Sequence, residues 1–119
     1  MMDKVLYSSY GGSYIMNMNI IEVTEATFEA EVLQEERFVV VDFWATYCMP
    51  CQMLTPILEE LAAERPDIKF CKINMEEAQS IAEKYDIMTL PILIFFKNGK
   101  VVDESIGLIS KEQLQSFLK

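Results

Sequence analysis

"VVVDFWATYCMPCQMLTP", residues 39–56, is the stretch on which the fold turns. It opens as a run of aliphatic and aromatic residues with no polar alternation, the pattern of a strand covered on both faces. Two cysteines three positions apart follow, and then apolar residues at Met53, Leu54, Ile57, Leu58 and Leu61. That spacing predicts a helix over residues 49–65, kinked by Pro56 and ended by Pro66. A two-sided strand that runs straight into a helix is a βα unit, so the stretch points to an α/β sheet.

Strand and helix signals alternate on either side of it. "IIEV" reads as a strand, followed by a helix capped by Thr24 with Phe28, Val32 and Leu33 at helical spacing. "IKFCKIN" reads as a further strand, and Asn74 can cap a helix running through Ala78, Ile81 and Ala82. In "PILIFFKNGKVVDESIG" two strands meet at Asn98-Gly99, a dipeptide that accepts the positive φ angles of a tight hairpin. Ser110 and Gln113 form a capping box for a last helix with Leu114, Phe117 and Leu118 on its apolar side. The order β-α-β-α-β-α-β-β-α implies a three-layer α/β/α sandwich around a mixed sheet of about five strands.

The chain has 119 residues, enough for one domain and one core. Hydrophobic residues make up 51% and charged residues 24%, a globular balance. A net charge of -9 disfavours nucleic-acid binding, which needs clustered Lys and Arg. No run of about 18 apolar residues is present, so no membrane span is expected. There is no secretory start after "MMDK", and three cysteines, an odd number, fit a reducing compartment, which together predict a cytoplasmic protein. Residues 1–18 differ in composition and read as an N-terminal extension, either a loose tail or a hairpin turned at Gly11-Gly12, with Met16 or Met18 as alternative starts. The compact domain spans 19–119.

Cys48-Met49-Pro50-Cys51 stands where the strand gives way to the helix, with Cys48 near the cap. Unpaired N–H groups and partial positive charge at a helix start favour a thiolate, which makes Cys48 the candidate nucleophile. Cys51 lies almost one turn on, in reach of a mixed disulfide held on Cys48, and is the candidate resolving thiol. A zinc site lacks ligands, since the chain has no His and only Cys71 to spare. Inert core cysteines fit poorly, because Met49 and Pro50 describe an exposed tip. A structural disulfide is uncommon in the cytoplasm. Asp42 is costly to ionise inside a two-sided apolar strand, so its pKa should rise towards neutrality, where a carboxyl can carry the proton that Cys51 must lose. The alternatives are that Asp42 reaches solvent past the strand end or is held by hydrogen bonds. Pro91 must occupy a first strand position or a special turn, with either a cis bond or the ordinary trans bond. Cys71 points away from its neighbour Lys72 into a packed face, as core filler or as a slow oxidation or glutathionylation site.

With the thiol pair, the Asp and the proline in one βα frame, the chain resembles the thioredoxin family over roughly residues 19–119. "VDFWATYCMPC", "MLTP", "CKIN", "TLPILIFFKNGK" and "GLISKEQLQSFL" carry the resemblance, in the family's order and spacing. It implies a protein-disulfide reductase in which Cys48 attacks, Cys51 resolves and Asp42 assists proton transfer. Lys72 would be the charge partner of Asp42, and Pro91 the cis-proline facing the sulfurs. Leu90 would offer backbone hydrogen bonds to an extended substrate. Trp44 would pack under the site, and Tyr47, Met49, Pro50, Met75, Thr89, Ile106 and Gly107 would form the rim on which substrates rest. The resemblance further implies disulfide-containing protein substrates, an electron donor of the thioredoxin-reductase type, a monomer, and no bound cofactor or metal. Three positions depart from the family pattern: Met49 and Thr89 stand where Gly is common, and Tyr47 where Trp is usual. The alternative, from a different class, is a partner-binding module of the same fold whose redox activity is incidental.

Overall fold

The structure, a computed structural model, describes residues 19–118. The expected extension at 1–18 lies outside the described residues. Five strands form one mixed sheet: β1 (Ile20–Val23), β2 (Val39–Trp44), β3 (Lys69–Asn74), β4 (Ile92–Lys97) and β5 (Lys100–Ile106). Their order is β1-β3-β2-β4-β5, with β1, β3 and β2 parallel and β4 and β5 antiparallel. The apolar run at 39–44 is therefore the middle strand, as its two-sided pattern requires.

Side chains of β2 alternate between two cores. Val39, Val41 and Phe43 join Val23, Phe28, Val32, Ile73 and Phe96 on one face. Val40 joins Phe70, Leu93, Phe95, Leu54, Leu58, Leu61 and Leu114 on the other. The first layer is closed by a π-helical turn, Glu29–Leu33, and by helix α2 (Gln79–Lys84); the second by α1 (Met49–Glu64) and α3 (Lys111–Gln115). Leu54 and Leu61 of α1 are fully buried, and truncating either to Ala should cost about 2–5 kcal/mol. Asp42, two residues after Val40, falls on the α1 face.

Several elements differ from their expected form. Thr24 caps a turn instead of the helix: its Oγ1 accepts the Thr27 N–H at 3.3 Å, and its own N–H donates to Thr27 Oγ1 at 2.9 Å. Reciprocal threonine pairing satisfies those amides locally and delays the helix to one π-helical turn. Asn74 caps only a 3₁₀ turn, Met75–Glu77, and α2 restarts after Ala78. Met53 is 55% exposed instead of lying on the apolar side of α1. As expected, α1 runs on through Pro56. Its ring sits on the outer, exposed side, where the carbonyl that loses a donor, that of exposed Gln52, can be hydrated. At the hairpin tip Asn98 and Gly99 have φ of 52° and 79°, and a Cβ on Gly99 would meet the Leu33 carbonyl oxygen at 2.6 Å.

Candidate active site

The site forms where β2 ends. Cys48 caps α1 with extended backbone, and its Sγ accepts the Cys51 N–H at 3.2 Å. The two residues are joined as a disulfide with Cα atoms 5.3 Å apart, so the pair closes within the first helical turn. The loop before Cys48 is held from outside. Thr46 donates both its N–H and its hydroxyl to Glu76 Oε1, each at 2.8 Å, and Gln52 Nε2 donates to the Thr46 carbonyl at 3.2 Å. The Thr46 N–H, then its hydroxyl, hold the Glu76 carboxyl below the usual carboxylate range. Asn74 Oδ1 accepts the Glu76 N–H at 2.9 Å and so orients the clamp.

The cysteines are recessed, and only their neighbours form the exposed tip. Cys48 is 7% exposed and Cys51 2%, whereas Tyr47 is 76% and Met49 65% exposed, with Pro50 exposed beside them. The reason is packing: Ala45, Trp44 and Leu90 close around the sulfur-bearing residues. Leu90 belongs to the opposing lip, where the Leu90–Pro91 bond is cis and Pro91 is buried. The Pro91 carbonyl accepts the Gly107 N–H at 2.8 Å, tying this lip to Ile106 and Gly107 at the end of β5. Gly107 has φ of 92°, a conformation that favours glycine. Ile106 is 59% exposed, and Thr89 is exposed too. Among the described residues no hydrogen bond engages the Leu90 N–H or C=O. Met75 does not join this rim: it is 8% exposed, drawn into the core by the 3₁₀ turn that follows β3.

Asp42 is 1% exposed, and its Oδ1 has no hydrogen-bond partner among the described residues. Burial pushes its carboxyl up to about 7, the Lys72 ammonium working against the shift and Glu22 adding to it. Lys72 lies in register with Asp42 across the β2–β3 ladder, but the ion pair it closes is with Glu22, Nζ to Oε2 at 3.9 Å. Its ammonium also lies 4.8 Å from the centre of the Trp44 ring, whose buried Nε1 has no hydrogen-bond partner among the described residues. Cys71 is buried on the other face, its thiol pushed up to about 12 by burial.

Three carboxyls escaped the sequence reading. Glu76 clamps the loop, and Glu22 and Glu59 approach Lys72, Glu59 being 6% exposed and its carboxyl pushed up by burial. Glu59 sits between Leu58 and Ala62 on the inner stripe of α1, so helical periodicity carries a signal for it. For Glu76 no such signal exists, since the clamp depends on how two loops meet.

Among the described residues no helix is long and apolar enough to cross a membrane. The thioredoxin family model matches residues 19–119. The chain is similar to the thioredoxin of Pseudomonas aeruginosa, 41% identical over 104 residues that cover 87% of this chain and 96% of that protein. It is 47% identical to the thioredoxin of Buchnera aphidicola subsp. Schizaphis graminum over 100 residues, 83% of this chain and 93% of that one. With the thioredoxin of Staphylococcus aureus it shares 45% over 104 residues, 85% and 96% of the two chains. The chain belongs to the thioredoxin family and, with its Cys48–Cys51 pair, is a thiol-disulfide oxidoreductase that reduces protein disulfides.

Proposed function

We propose that the reduction of a substrate protein runs through Cys48 and Cys51 in two exchanges. The Cys48 thiolate attacks one sulfur of the substrate disulfide; a Cys48–substrate S–S bond forms, the substrate S–S bond breaks, and one substrate thiolate leaves and takes a proton from water. Cys51 then gives its proton to the Asp42 carboxylate and attacks Cys48 Sγ, forming the Cys48–Cys51 disulfide and expelling the second substrate thiolate. Two electrons pass to the substrate, and the protein is left in the disulfide form of the structure.

The observation that carries this reading is the closure of the pair in the first turn of α1, where the Cys51 N–H already points at Cys48 Sγ. The same N–H stabilises negative charge on that sulfur, as a leaving or attacking thiolate requires. Asp42 suits the proton transfer because a carboxyl near 7 gains and loses protons at working pH. Trp44 and Pro91 shape the floor and wall of the groove. Tyr47, Met49, Pro50, Thr89, Ile106 and Gly107 form its rim, and the unused amide and carbonyl of Leu90 receive an extended substrate segment. The protein acts as a cytoplasmic monomer, recharged by a donor of the thioredoxin-reductase type; Cys71 as a buried free thiol supports a reducing compartment. Residues 1–18 are an appendage to the domain at 19–119.

The test is reduction of insulin by dithiothreitol, followed as turbidity. Cys48→Ser should abolish the catalysed rate, and Cys51→Ser should accumulate a mixed disulfide visible by mass. A catalysed rate retained in Cys48→Ser refutes the assignment. The reduction potential, measured in Cys71→Ser, should fall at the reducing end of the family, where thioredoxin itself lies at about -270 mV; a value near about -120 to -180 mV would make the protein an oxidant or isomerase.

A further inference from the structure

On the α1 face of the sheet, Glu22 of β1, Lys72 of β3, Asp42 of β2 and Leu93 of β4 are register partners and form one row, with Ser105 of β5 beyond them. Partners in register point to the same face, so the charged members lie beneath the helix that carries Cys51. From that helix Glu59 turns inward and, with Ile20, Glu22 and Lys72, lines a cavity of about 180 Å³. One ammonium thus serves three carboxyls. It pairs directly with Glu22, while Asp42 Oδ1, farther along the row, has no hydrogen-bond partner among the described residues.

We infer that Glu22 and Glu59 are positioning residues for the proton transfer at Cys51: they hold the Lys72 ammonium in the cavity at the β1 side of the row and so govern when Asp42 can accept a proton. The inference rests on the reading of Asp42 as the proton carrier. The charged groups that act on Asp42 are Lys72 from β3 and Glu22 from β1; Glu59 of α1 shares the cavity with both, the Cys48–Cys51 disulfide lies in the first turn of the same helix, and β4 and β5 add Leu93 and Ser105 to the row. An ammonium drawn to either glutamate stabilises the ionised Asp42 less than one free to lean on it. Glu22 in addition repels the Asp42 carboxylate directly. The cavity, with a volume that holds several waters, gives the lysine room to take either position.

Removing either carboxylate should let Asp42 ionise at lower pH. The experiment measures insulin reduction from pH 5 to 9 for the wild type, Glu22→Gln, Glu59→Gln and the double variant, each also in Asp42→Asn. The Asp42 carboxyl carbon is titrated by NMR in the same oxidised proteins, a readout that a merely structural role would not move. Each single variant should shift the acid limb and the Asp42 titration acidward by about half a unit, so that the rate on that limb rises about threefold. The double variant should shift both further, and the shift in rate should vanish in Asp42→Asn. An acid limb that Asp42→Asn abolishes but the glutamate variants leave in place, with an unmoved Asp42 titration, overturns this inference alone. A limb that survives in Asp42→Asn overturns the proton-carrier reading and the inference with it.

Discussion

Replacing Asp42 by Asn should make the protein more stable at neutral and alkaline pH while slowing its turnover. The carboxyl, ordinarily near 3.8, is pushed up to about 7 by burial. Between these two values the folded chain keeps a proton that the unfolded chain has lost. Native stability therefore falls as pH rises through this window and levels off above the folded pKa. At 1.36 kcal/mol per unit, the displacement amounts to about 4 kcal/mol at pH 8. Asn introduces no charge to desolvate but buries an amide beside a site where Oδ1 already lacks a partner, which costs about 1–2 kcal/mol. The expected net gain is about 2–3 kcal/mol at pH 8, shrinking towards zero or below at pH 4. Guanidinium unfolding of the oxidised protein at unit steps from pH 4 to 8 reads the difference directly. A wild-type curve parallel to the Asn curve across this range would mean that Asp42 keeps an ordinary pKa, and the argument from burial would fail.

Two further outcomes follow from single contacts. Gly99→Ala should destabilise by about 1–3 kcal/mol, because φ is 79° and the new Cβ would lie 2.6 Å from the Leu33 carbonyl oxygen; an unchanged urea midpoint would show that the hairpin tip relaxes without cost. In the reduced protein at pH 8, iodoacetamide should label Cys48 first and leave Cys71 untouched until denaturant is added, since that thiol is 1% exposed and pushed up to about 12. Peptide mass spectrometry that finds Cys71 labelled as fast as Cys48 in the folded chain would contradict its placement.

What the sequence made legible was whatever a short window decides. The β2 run announced a middle strand because it has no polar alternation to leave a face for water. Asn98-Gly99 and the Ser110–Gln113 box are each set by backbone chemistry within four residues, and both appear as read. Misreadings arose where a local alternative competed. Thr24 found Thr27 before it could cap a helix, and Asn74 spent its side chain on a 3₁₀ turn whose closure pulled Met75 into the core. Helical periodicity likewise placed Met53 on the apolar side, although it lies on the exposed flank of α1 beside Met49, four residues before it.

The site divides the same way. Cys48 and Cys51 are legible because their chemistry needs only one helical turn, and Asp42 because a charge in an apolar run is conspicuous anywhere. Its electrostatic setting is of another kind. Glu22 in "IIEV" looks like an ordinary polar residue on a strand, and it becomes the partner of Lys72 only because β1 pairs with β3 in one register. A slip of one residue would send Glu22 to the opposite face and leave Lys72 to Asp42 and Glu59. The proton affinity of the buried Asp42 carboxyl thus depends on strand pairing between Glu22 and Lys72, fifty residues apart in the chain, and no motif around the cysteines can carry it.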